Sequence, residues 1–341
     1  MFNLTSEVIL GNYTMYGGFN EVKIKRSVKE IVDTATIKVP SIGRIKDNPG
    51  LPMSSIETST CWTEGDEVTM LLGYNNDNRQ EFKGFVRSVK PSIPVEIECE
   101  GYAWQLRRKY LPGYWKSIKL REFLTILIQG TAIKISPFVP DLPLTNLNIA
   151  TCANCLEILE YLKKNCHLAV YFQFDTLYVG LEEAIPGDLV KYDIGWNVPR
   201  TNKLDYKVAS DTKVSIQLVT GKGKNKKRTL IQKGDAGGSL IRENISNIVD
   251  QKSLTTIANQ QLAHRKYDGL QGNLDAFMQP YCKPCDTAQL IDEIYNVVDG
   301  EYFVEGVEIT FGMNGGQRKV HLGPALSTPN FIALQNKNSN R

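Results

Sequence analysis

The sequence predicts a mainly β chain of the α+β class: two related antiparallel sheets, each read as a barrel, with a small α/β insert between them. Three observations carry this. Residues 65–104 read as a three-strand meander, a stretch near the other end repeats its plan, and the hydrophobic period between them turns helical. The first meander opens with Gly65-Asp66-Glu67-Val68, after which Val68, Met70, Leu72 and Tyr74 share one parity, the mark of a half-buried strand. Asn75-Asn76-Asp77-Asn78 tolerates left-handed backbone and makes side-chain turns. A second strand over residues 81–89 carries Gly84, read as a bulge or bend, and Pro91 and Pro94 end it. In the third, Val95, Ile97 and Cys99 alternate with Glu96, Glu98 and Glu100.

The later copy sets Cys285-Asp286-Thr287-Ala288 where Gly65-Asp66-Glu67-Val68 stood. Asp299-Gly300 signals a hairpin turn, a strand over 301–311 carries Gly306 in the place of Gly84, and Gly315-Gly316 leads into a strand over 318–322. The offsets, 220 from Asp66 to Asp286 and 222 from Gly84 to Gly306, nearly agree, as a duplication would make them.

In chain order, residues 1–107 form the first sheet domain. Val22 and Ile24, then Ala35, Ile37 and Val39, alternate with polar residues, and Pro40 ends the strand. Residues 41–61 make a long connection, read either as a partner-contacting loop or as a plain surface loop. The insert spans 108–195. Leu120, Phe123, Leu124, Leu127 and Ile128 have helical spacing and Gly130 stops them; a second helix covers about 151–165, and a hairpin turns at Asp175-Thr176. Residues 196–323 form the second sheet domain, with a helix capped by Asp250 or Ser253, and 324–341 a polar tail in which Phe331, Ile332 and Leu334 are the apolar exception.

Composition narrows the class. A net charge of +3 is too small to imply a nucleic-acid or membrane partner, and no uninterrupted apolar stretch is long enough to anchor in a membrane. The N-terminus lacks a basic segment followed by an apolar core, so no signal peptide is expected, and the seven cysteines read as reduced cytoplasmic thiols.

Candidate chemistry is sparse. Cys152-Ala153-Asn154-Cys155 and Cys282-Lys283-Pro284-Cys285 have the tight spacing of zinc ligands but fall in different predicted domains. Cys152 at a helix start would have a lowered thiol pKa, whereas Cys155 reads as a core residue and Cys285 stands in Gly65's position. Lys222, Lys224, Lys226, Lys227 and Arg228 crowd one loop. It reads as a solvated hairpin tip, with contact to an acidic partner or to passing DNA as the alternatives. His167, His264 and His321 lack metal-ligand spacing, no nucleophile elbow or phosphate-cradling loop occurs, and Glu182-Glu183 reads as ordinary surface, so no enzyme, cofactor or metal is expected.

Through Gly65-Asp66-Glu67-Val68, Phe82-Lys83-Gly84-Phe85-Val86, Ile97-Glu98-Cys99-Glu100-Gly101 and Asp299-Gly300-Glu301-Tyr302-Phe303-Val304, the chain resembles the baseplate hub proteins of contractile-tailed phages, including the late control gene D group and the Mu-type hub. It is also similar to the N-terminal part of type VI secretion spike proteins. The resemblance covers residues 1–323 in domain order. It implies two tail-tube-like barrels per chain and a homotrimer with pseudo-sixfold symmetry. That trimer would join a hexameric tail tube protein to a trimeric, separate spike protein, among other baseplate proteins, with DNA only passing through a lumen. It further implies a virion baseplate location after assembly in the bacterial cytoplasm. A cell-wall-degrading tail enzyme, or the hub of a tailocin or secretion-like injector, are the alternative readings.

Overall fold

A computed structural model of the chain describes residues 3–45, 54–181, 187–200, 204–209, 214–220, 230–294 and 299–326. The first half contains β1 (Leu4–Leu10), β2 (Tyr13–Met15), β3 (Glu21–Ser27), β4 (Thr34–Val39), a two-stranded arm of β5 (Ile42–Ile45) and β6 (Ser54–Glu57), and the meander β7 (Glu67–Tyr74), β8 (Asp77–Lys90) and β9 (Val95–Glu100). A short helix, α1 (Trp104–Arg107), leads into the insert: β10 (Tyr114–Lys119), α2 (Leu120–Ile128), β11 (Lys134–Ile135), β12 (Pro143–Asn148), α3 (Cys155–Asn165), β13 (Ala169–Gln173) and β14 (Thr176–Gly180). The remainder is β15 (Leu189–Asp193), β16 (Leu204–Lys207), β17 (Val214–Thr220), β18 (Leu230–Gly234), β19 (Ser239–Ile245), α4 (Gln251–Arg265), β20 (Gly269–Phe277), β21 (Thr287–Ile291), β22 (Gly300–Gly312) and β23 (Gly315–Ala325). The protein is mainly β.

The strands of the first half form because their inward parity is apolar. Val8 and Leu10, Val22 and Ile24, Ile37 and Val39, Val68, Met70 and Leu72, and Val95 and Ile97 are all buried in one core. A second core gathers Leu274, Ala288, Leu290, Val304, Val307 and Val320. The turn at Asn75 and Asn76 has φ of 52° and 69°, the left-handed pair that joins β7 to β8.

Both meanders share one hydrogen-bond frame. Gly65 N–H donates to Val86 O and Val86 N–H to Asp66 O (2.9 and 2.8 Å); Cys285 N–H donates to Val304 O and Val304 N–H to Asp286 O (both 2.9 Å). Each aspartate accepts a backbone N–H three residues upstream, Asp66 from Thr63 and Asp286 from Lys283 (2.8 and 2.9 Å). Gly65 and Cys285 are both left-handed, with φ of 98° and 77°. This frame corrects one expected equivalence. Val86 answers to Val304, an offset of 218, so Gly306 matches Ser88 rather than Gly84. The register shifts agree, falling between Val86 and Ser88 in one copy and between Val304 and Gly306 in the other.

The halves are not separate sheets. Thirteen strands form one sheet in the order β16-β20-β23-β22-β3-β4-β9-β8-β7-β1-β2, with β21 on β22 and β15 on β21. β3 joins the halves by pairing antiparallel with both β4 and β22. The path among the described strands is open, ending at β2 and β16, where the sequence led us to expect two closed barrels. An edge of each half is consumed by the other instead of by its own far strand.

β15, in the stretch the sequence reading gave to the insert, pairs parallel with β21. The sheet β18-β17-β19 and α4, assigned to the second half, share the insert's core: Ile216, Leu218, Ile245, Leu254 and Ile257 pack in one cluster with Phe123, Leu124 and Leu159. Asn247 fastens this layer, its Nδ2 donating to Thr145 O and Asn146 O and its Oδ1 accepting from Tyr161. β10 and β12, on either side of α2 and β11 in sequence, form an antiparallel pair.

Candidate assembly surfaces at the seam

The seam between β3 and β22 holds seven register pairs, from Ser27 with Gly306 to Glu21 with Gly312. In-register residues share a face, so the seam carries side-chain rows from one half into the other. Asp275, Lys319, Glu308, Lys25 and Thr34 stand in one row across β20, β23, β22, β3 and β4. Gln317, Thr310, Lys23, Thr36 and Glu98 stand in the next, across β23, β22, β3, β4 and β9. These rows interleave both signs. Lys319 lies 3.9 Å from Asp275, His321 3.3 Å from Glu308, and Lys38 3.3 Å from Glu21; Lys90 lies 3.0 Å from Glu96. The result is a wall of seven neighbouring strands, β20 to β8, with one polar, charge-balanced face.

Behind the wall the halves are bolted by a buried ion pair. The register shift between Met70 and Leu71 leaves Glu81 as the extra residue of β8. Its carboxylate accepts from Arg318 Nη2 at 2.5 Å and Nη1 at 3.3 Å, while Arg318 also donates to Cys282 O and Met278 O. Both side chains are almost wholly buried. Burial raises the Glu81 carboxyl against the pull of Arg318; burial would lower the guanidinium, but Glu81 more than offsets this and keeps it charged. A second buried arginine, Arg26, stands 3.5 Å from Asp33 and packs 4.0 Å over the Phe174 ring. Burial pushes the Asp33 carboxyl up to about 6, with Arg26 opposing.

A cleft of about 710 Å³ opens beside the bolt, between the tip of the β7–β8 hairpin and residues 277–281. Tyr74, Phe277, Met278, Pro280 and Tyr281 line it, and Trp196 stands at its rim, 84% exposed. The arm of β5 and β6 is a separate two-stranded sheet with Ile42 68% exposed.

The residues singled out in the sequence scatter across this architecture. Lys222, Lys224, Lys226, Lys227 and Arg228 lie outside the described residues, as do Glu182 and Glu183 and the tail. Gly84 faces Val68 across the ladder, and a Cβ there would lie 2.2 Å from Glu100 O; at Gly306 it would lie 2.9 Å from Arg26 O. Asn154, not Cys152, caps α3, accepting from Glu157 N–H at 3.0 Å. Burial, with Glu157 adding to it, raises the Cys152 thiol, the reverse of the lowering expected at a helix start. Cys155 is buried, Cys285 Sγ donates to Tyr171 Oη at 3.2 Å, and burial pushes Cys282 to about 12. Among the described residues no three His, Cys, Asp or Glu side chains gather as metal ligands, and no helix is long and apolar enough to cross a membrane. Sequence reasoning missed Arg318 and Glu81; an arginine on the inward parity of β23 was the available signal.

This architecture is a known one. The chain is similar to the 43 kDa tail protein of prophage MuSo2 from Shewanella oneidensis, at TM-score 0.61 and 13% identity over 93% of this chain and 97% of that chain. It is equally similar to a tail protein from Neisseria meningitidis MC58, at TM-score 0.62 and 13% identity over 94% and 96%. The fold is that of phage tail proteins. It is shared with an E. coli component of the type VI secretion system, itself described as structurally similar to T4 bacteriophage tail proteins gp27 and gp5, at TM-score 0.60 and 7% identity over 94% of this chain and 77% of that one. No protein-family model and no curated protein matches the sequence.

Proposed function

We propose that this chain is a structural baseplate hub of a contractile tail or related injection machine, and not an enzyme. Three copies would form a ring in which two half-sheets per chain supply six near-equivalent positions, matching a hexameric tail tube on one side and a trimeric spike on the other. The observation that carries this reading is the repeated aspartate-anchored frame within one continuous sheet: a threefold assembly of such a chain imitates a sixfold one. The open edges at β2 and β16 support it, since an exposed edge strand calls for a neighbour, and such neighbours would close the two expected barrels. The polar wall supports it too. A channel face with paired charges of both signs offers passing DNA no continuous basic track to adhere to. Assembly would take place in the host cytoplasm, ahead of incorporation into the virion baseplate.

Light scattering on the purified protein tests this. The expected mass is near three times 38.3 kDa. A mass of one chain at micromolar concentration, unchanged on adding the tube and spike proteins of the same machine, would overturn it. Clearing of a peptidoglycan zymogram would overturn the non-enzymatic part.

A further inference from the structure

The sheet buries two arginines on its inward parity, and their donors fare differently. Arg318 donates to the Glu81 carboxylate through both Nη atoms and to the carbonyls of Cys282 and Met278. Arg26, in β3, is only 2% exposed, yet its Nε and Nη1 have no hydrogen-bond partner among the described residues. Asp33 stands off at 3.5 Å from Nε, which supplies charge without a hydrogen bond. The Phe174 ring covers the guanidinium at 4.0 Å. Donors left unmade inside a protein are costly, and charged donors the most so.

Arg26 lines a pocket of about 280 Å³ where three parts of the chain meet. β3 brings Arg26, the insert brings Ser136 and the β13–β14 hairpin with Gln173 and Asp175, and the segment before β21 brings Lys283. Guanidinium, ammonium, carboxamide and hydroxyl groups thus share its walls. Asp175 is the one carboxylate among the described lining residues, and it is already engaged by Lys134 at 3.0 Å and Lys83 at 3.4 Å. The Ser136 wall is held from behind, where Arg121 Nη2 donates to the carbonyls of Ser136, Pro137 and Val139.

We propose that this pocket binds a small oxyanion, a carboxylate or a phosphate, held by Arg26 with Lys283 beside it. Two oxygens of such an anion match the fork of donors a guanidinium presents, which a single water does not. The volume falls below the roughly 300–1,000 Å³ usual for drug-sized ligands and so favours a small anion. Seated there, the anion joins β3, the insert hairpin and residue 283.

Thermal unfolding with inorganic phosphate, acetate or chloride at constant ionic strength tests this, together with the nitrogen-15 NMR signal of the Arg26 Nε–H, identified by its loss in Arg26→Lys. Phosphate or acetate at a hundred times its Kd should raise Tm by about 4 °C for a chain of 341 residues, and should shift the Nε–H signal; chloride should do neither. Arg26→Met with Asp33→Asn, which strands no charge, should abolish the gain. Gln173→Leu, at the pocket wall but outside the buried pair, should reduce it. A response to one oxyanion only supports the site and names its ligand class. The proposal fails if neither oxyanion moves Tm or the signal beyond chloride. It fails equally if the double variant gains as much Tm as the unsubstituted protein, since the effect is then general stabilisation by salt. Should the double variant not fold, an undiminished gain in Gln173→Leu with an unmoved Nε–H signal overturns it.

Discussion

Arg318 and Glu81 are 237 residues apart in sequence and share a two-pronged contact in the core. Removing one partner of such a pair strands the other charge without water. Arg318→Met should therefore cost about 3–5 kcal/mol in chemical denaturation, and Arg318→Met with Glu81→Leu should recover much of the loss. A double variant no more stable than the single one would mean the pair is not the bolt described. Asp33 supplies a pH test. Its folded pKa, about 6, lies above the 3.8 of an ordinary aspartate, so its contribution is fully present below that ordinary value and is lost as pH rises through 6. Relative to Asp33→Asn, the unsubstituted protein should gain about 1 kcal/mol between pH 7 and pH 5; a constant difference would refute the shift. None of Arg318, Glu81, Arg26 and Asp33 was picked out in the sequence, because burial of a charge is decided by which strands arrive opposite it. Arg26 and Arg318 stand on inward parities that alternation alone assigns to apolar residues.

At the scale of elements, glycine placement separates two kinds of constraint. Gly84 lies where β8 and β9 approach so closely that a Cβ would meet backbone oxygen at 2.2 Å, whereas the nearest atom at Gly306 is 2.9 Å away. Gly84→Ala should cost about 2–3 kcal/mol and Gly306→Ala less; the reverse order by thermal unfolding would contradict the packing seen here. The cap of α4 is a milder case. Asp250 Oδ2 accepts from Ser253 N–H and from its hydroxyl, and Asp250→Ala should cost about 1 kcal/mol. Asp250 was legible as a cap, as were α2, the Asn75-Asn76 turn and the alternation of β9, since each depends on residues within a few positions of one another. The pairing of Gly84 with Gly306 misled because the two glycines sit on opposite sides of the frame valine, Gly84 two residues before Val86 and Gly306 two after Val304, and only the ladder fixes which residues correspond.

For the whole molecule, the seam decides the architecture. β3 satisfies two partners at once, so the halves share a wall, and β17–β19 and α4 join the insert's core, where Ile216, Leu218, Leu254 and Ile257 cluster with Phe123 and Leu159. If the wall is the channel face of a ring, a charge reversal on it should leave folding intact and alter passage. Lys23→Glu with Lys25→Glu should keep Tm within about 2 °C while impairing DNA delivery by the assembled particle; unaltered delivery would remove the channel reading.

Residue patterns along the chain were enough for the β-rich class, for α2 and α3 and for the correspondence of Asp66 with Asp286, because parity, caps and left-handed turns are local properties of the chain. Tertiary structure alone decided that the two halves join through β3 and β22, that a bulge turns Glu81 inward to Arg318, and that the path among the described strands ends at β2 and β16. Edge hydrogen bonds and buried charges take their partners from distant segments, and no spacing along the chain records which segment that is.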